Sequence, residues 1–107
     1  MYESVGPITK AAFNQNTAAT HEAVAGVTGD KPRLIGLHLV AADAVTITLA
    51  MGDTTIYGPV NIGANGVLDL VPSPSGHGPD GAAGEAFNIT LGGAVQVGGC
   101  VAVQHIK

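Results

Sequence analysis

The sequence predicts an all-β protein, an antiparallel β-sandwich of about eight strands with jelly-roll character. Short runs with a two-residue apolar period recur at regular spacing, and Gly, Pro or Asn-Gly turn chemistry separates one run from the next. Composition adds a third observation. Hydrophobic residues fill 46% of the 107 positions and charged residues only 11%, so the surface must be built largely of Gly, Ala, Thr, Asn and backbone. Such a surface suits a protein that lives against other proteins. A chain of this length buries roughly two thirds of the surface its unfolded form exposes, enough for one core.

Residues 1–16 hold no sustained period, and Gly6-Pro7 interrupts helix and strand alike, so they read as an N-terminal arm outside the core of a sandwich domain spanning residues 17–107. The arm carries Tyr2, Val5, Ile8 and Phe13, anchors of a kind that disordered tails lack. These four either cover one end of the core or pack on a neighbouring molecule. Residues 17–27 are alanine-rich but bounded by Gly26 and Gly29, and read as a strand; Gly29-Asp30-Lys31-Pro32 is the turn that follows.

In residues 34–41, Ile35, Leu37 and Leu39 take one side of a strand while Leu34, His38 and Val40 take the other, which makes the strand central and its second side an oligomer interface. Ala42-Asp43 turns into residues 45–51, where Val45, Ile47, Leu49 and Met51 alternate with Thr46, Thr48 and Ala50; the two runs read as a hairpin. After Gly52-Asp53, residues 54–62 contain Gly58-Pro59, and a proline that cannot donate to a ladder marks an edge strand. Asn65-Gly66 is a tight-turn signal before residues 67–71, which point Leu68 and Leu70 inward. Residues 72–84, P-S-P-S-G-H-G-P-D-G-A-A-G, form a long loop, either ordered by a partner or crossing between sheets. Phe87, Ile89 and Leu91, then Val95, Val97, Val101 and Val103, supply two last strands read as a closing hairpin through Gly92-Gly93.

Chemistry is sparse. The net charge is −4 with Lys10, Lys31, Arg33 and Lys107 as the cations, too few to neutralise a run of phosphates, so no nucleic-acid partner is expected. No apolar stretch approaches the ~20 residues that span a bilayer, and no basic-then-apolar leader opens the chain, so neither membrane anchoring nor secretion is expected. The single cysteine, Cys100, reads as a small side chain opposite the valines rather than a nucleophile. His21, His38, His77 and His105 are scattered, and only His77 with Asp80 pairs metal-ligating types at close spacing, too few for a site. The acids fall mostly in turns, with Asp69 the exception on a strand. No nucleophile elbow, phosphate loop or paired-cysteine motif is present, which argues against an enzyme and implies no cofactor. With no Trp, two Tyr and two Phe, the stacking platforms of sugar-binding sandwiches are also wanting.

The segments L-I-G-L-H-L-V-A, A-V-T-I-T-L, A-N-G-V-L-D-L, A-G-E-A-F-N-I-T-L and A-V-Q-V-G-G, with the Pro/Gly loop between, resemble the small β-sandwich capsid decoration or cement proteins of tailed bacteriophages. The resemblance covers residues 31–104. It implies a non-enzymatic virion protein, often a homotrimer, assembled in the host cytoplasm, that binds the major capsid protein on the outer head surface and stabilises contacts between subunits. Related sandwiches in tail fibres and spikes leave a host-surface binding module as the alternative. On the decoration reading the arm, through Tyr2, Val5, Ile8 and Phe13, and the loop, through His77 and Asp80, are the candidate partner contacts, since fifteen extended residues reach up to roughly 50 Å.

Overall fold

The computed structural model describes residues 5–70 and 80–106. Among these residues the strands are β1 (Val5–Gln15), β2 (Thr20–Val24), β3 (Lys31–Ala41), β4 (Val45–Met51), β5 (Thr54–Ile62), β6 (Val67–Leu70), β7 (Phe87–Leu91) and β8 (Val97–Ile106). They form two antiparallel four-stranded sheets, ordered β1-β8-β3-β6 and β2-β7-β4-β5. The pairings β1 with β8, β2 with β7, β3 with β6 and β4 with β5 nest one inside the next, as in one long hairpin whose tip is Gly52-Asp53. Rolling that ribbon up adds β3 with β8 and β4 with β7. A rolled ribbon of this order is a jelly roll, as the alternating runs predict.

The core fills the space between the sheets. Leu37, Leu39, Val97, Val101 and Val103 from the first sheet meet Ile47, Leu49, Met51, Phe87, Ile89 and Leu91 from the second, all nearly inaccessible to solvent. Burying side chains of this size is worth roughly 1.5 to 3 kcal/mol each, which is what holds two sheets together without a staple. The Pro59-bearing strand β5 is an edge, as expected: it pairs with β4 alone.

Several expectations fail, each for a physical reason. The runs at β3 and β4, and those at β7 and β8, are not hairpins, because in each case the chain crosses to the other sheet between them. The proposed arm is not outside the core: β1 pairs with β8 from Val5 opposite Ile106 to Gln15 opposite Val97, and Phe13 is buried in the main cluster. The ladder shifts between Val5 and Ile8, around Gly6-Pro7, so the proline that suggested a break lies in an edge strand, where it is tolerated. Leu34 does not face a neighbour. A bulge at Ile35 sets Leu34 opposite Val103 and Gly36 opposite Ala102, which reverses the alternation, so Leu34 is buried and Ile35 only half-buried. Leu70, expected in the core, is likewise half-buried against it.

The two ends of the sandwich are built differently. One is closed by short turns, with Ala42 N–H donating to the Gln96 carbonyl at 2.9 Å and Ala41 N–H to that of Gly66 at 3.0 Å. At the other end β1 and β3 begin and β8 finishes, and the buried polar side chains among the described residues, Asp30, Arg33 and His105, all lie there. Gly81 N–H donates to the Pro32 carbonyl at 2.8 Å and Gly84 N–H to that of Asp30 at 2.9 Å, fastening the end of the long loop across it.

Candidate functional site

Among the described residues, two surfaces are candidates for contact with other molecules. The first is the outer face of the β1-β8-β3-β6 sheet. Alternation on these strands turns Ile8, Lys10 and Ala12 of β1, Cys100 and Ala102 of β8, His38 and Val40 of β3, and Val67 and Asp69 of β6 away from the core. Ile8, Val40 and Val67 are 49%, 39% and 52% exposed, and Val40 lies directly opposite Val67. Gly36, Gly98 and Ala102 on the two middle strands keep the face low, and a depression of about 340 Å³ lies over it, lined by Lys10, Gly36, His38, Asp69, Cys100 and Ala102 among others.

Register brings together three side chains far apart in sequence: Asp69, His38 and Cys100 occupy one cross-strand row. His38 Nδ1 stands 3.8 Å from Asp69 Oδ2, a loose ion pair when the imidazole is protonated, and both side chains are more than half exposed. Such a pair contributes at most ~1 kcal/mol. Among the described residues no three His, Cys, Asp or Glu stand close enough together to hold a metal ion. What the face offers is apolar contact area with charge at its edges.

The second surface is the loop-bearing end. Arg33 Nε and Nη2 donate to Asp80 Oδ1 and Oδ2 at 2.7 and 3.0 Å, a bidentate fork on an isolated bridge between residues 33 and 80. His105 is buried there, its ring bonded through Nε2 to Thr9 Oγ1 at 3.0 Å. Of the sequence-derived contacts, Val5 and Asp80 lie at this end, Ile8 is exposed on β1, Phe13 is buried, and Tyr2 and His77 lie outside the described residues. Of the interface set, His38 and Val40 share the outer face and Leu34 is internal. No local signal in the sequence announces the Asp69–His38–Cys100 row or the Arg33–Asp80 fork, since each joins segments whose pairing only the topology sets.

The outer face of the β2-β7-β4-β5 sheet is different in kind. Thr20 and Thr90 hydroxyls bond at 2.8 Å, Thr46 Oγ1 donates to Asn61 Oδ1 at 3.1 Å, and Asn88 Nδ2 donates to the Gly52 carbonyl at 3.0 Å. His21, at the edge of this sheet, sets its ring edge-on to Phe13 with centroids 6.0 Å apart, closing the side between β1 and β2. No protein-family model, characterised protein or solved structure matches this chain.

Proposed function

We propose that this chain is a non-enzymatic structural protein that decorates the outer surface of a phage head and bridges capsid subunits. One observation carries the reading: the segment leading into Val5 and the loop leading into Asp80 attach at the same end of the sandwich, the first opposite Ile106, the second on Arg33. Attachment points at one end, Val5 and Asp80, suit a small rigid body seated end-on upon a larger surface. The Arg33–Asp80 fork anchors the loop where it enters the sheet, so less order need be imposed on binding.

Because β1 belongs to the sheet, the test must spare it. A variant lacking residues 1–4, and another with residues 72–79 replaced by a Gly/Ser linker of equal length, are mixed with heads built from the major capsid protein of the encoding phage. Occupancy by co-sedimentation is expected to fall at least tenfold for each, while the melting temperature of the free protein moves by only a few degrees. Undiminished occupancy in both variants would overturn the reading, as would a location on the tail in labelled particles.

A further inference from the structure

We propose that the outer face of the β1-β8-β3-β6 sheet is a self-association surface that pairs two copies about a two-fold axis running parallel to the strands, between β8 and β3. The charges choose this arrangement. Lys10 lies on β1 at one edge of the face and Asp69 on β6 at the other, three strand spacings apart, about 14 Å, too far to pair within one copy. A two-fold axis parallel to the strands lays β1 of each copy over β6 of the other and brings each Lys10 beside the second copy's Asp69. An in-plane axis across the strands stacks Lys10 on Lys10 and Asp69 on Asp69, and like charges oppose it.

Shape and area agree with the charges. Gly36, Gly98 and Ala102 on the middle strands let a second sheet approach, and the exposed Ile8, Val40 and Val67 supply apolar surface to bury. β1, β8 and β3 run side by side over about ten residues and β6 adds four, which presents about 500 Å² per copy, so two copies reach the ~1,000 Å² that a specific interface needs. The same symmetry points both loop-bearing ends in one direction, so, resting on the decoration reading, the pair would grip a capsid bivalently. A two-fold pair also replaces the homotrimer that the resemblance implies.

Light scattering across a dilution series tests this on the full chain, independently of any capsid. The expected species is a dimer of twice the 10.6 kDa chain mass. Lys10→Glu and Asp69→Lys are each expected to raise the dissociation constant tenfold or more, and an equimolar mixture of the two variants to recover the wild-type value, since each unlike pair then meets its complement. A monomer at 100 μM, a trimer, or a mixture no tighter than the single variants would overturn the proposal. So would a monomer whose Lys10→Glu variant loses capsid occupancy, which would give this face to the capsid. Failure of capsid binding alone, with the dimer intact, would remove the decoration reading and leave the pairing standing.

Discussion

The two outer faces of this sandwich carry similar backbones and opposite chemistry. On the β2-β7-β4-β5 face the Thr and Asn side chains bond to one another and to backbone, as in Thr20 with Thr90 and Thr46 with Asn61, so water can cover them without loss. The β1-β8-β3-β6 face sets Val40 against Val67, keeps its middle strands small, and leaves its charges at opposite edges. One sheet carries side-chain hydrogen bonds of its own, with Tyr57 exposed on its edge strand β5, while the other offers apolar contact. In a chain with so few charges, this partition, rather than net charge, separates the wet side from the docking side.

Substitutions in descending order of effect sharpen the contrast. Gly99 pairs with Phe13 and Leu39, has φ 157°, and a Cβ there would lie 1.8 Å from the His38 carbonyl oxygen. Gly99→Val should therefore wrench the contact-forming sheet, lowering stability by about 3 to 5 kcal/mol and the melting temperature by at least about 12 °C. Phe13→Ala should cost roughly 3 kcal/mol or more in chemical denaturation, as for any buried Phe; a change near zero would return β1 to the status of an arm. Arg33→Met leaves Asp80, whose side chain is 36% exposed, without its fork, and urea titration should register a loss of ~1 to 3 kcal/mol. On the hydrogen-bonded face, Thr90→Val should cost about 1 kcal/mol or less and leave association unchanged. Val67→Asn, on the docking face, should move stability by no more than ~0.5 kcal/mol while weakening self-association about tenfold in sedimentation. If Thr90→Val weakened association and Val67→Asn did not, the two faces would have to exchange roles.

Every strand from β2 to β8 is legible because alternation is a local property, and β1 is not, because its period is broken: Phe87, Ile89 and Leu91, or Val45, Ile47 and Leu49, declare a buried side wherever the strand is placed. Pairing is not legible, because alternation says which way a side chain points and nothing about which sheet receives the strand. Gly92-Gly93 can turn a hairpin or carry the chain across the sandwich, and here it crosses. Leu34 was misplaced because one extra residue, Ile35, reverses the phase halfway along β3. The site was legible only in fragments. His38 and Asp69 each stood out as unusual on a strand, yet their meeting depends on the β3–β6 register, and Arg33 with Asp80 on a bridge spanning 47 positions.

During synthesis β1 waits for β8. The nested ladder sets Thr9 opposite Val103, so at roughly 5 to 20 residues per second β1 leaves the ribosome about 5 to 20 s before its partner exists. An apolar strand held unpaired for that long would invite neighbouring nascent chains. β1 turns only Thr9, Ala11 and Phe13 inward among its described side chains and interposes Lys10 on the other face. The broken period and the Gly6-Pro7 interruption that make it read as an arm also make it a poor template for such pairing.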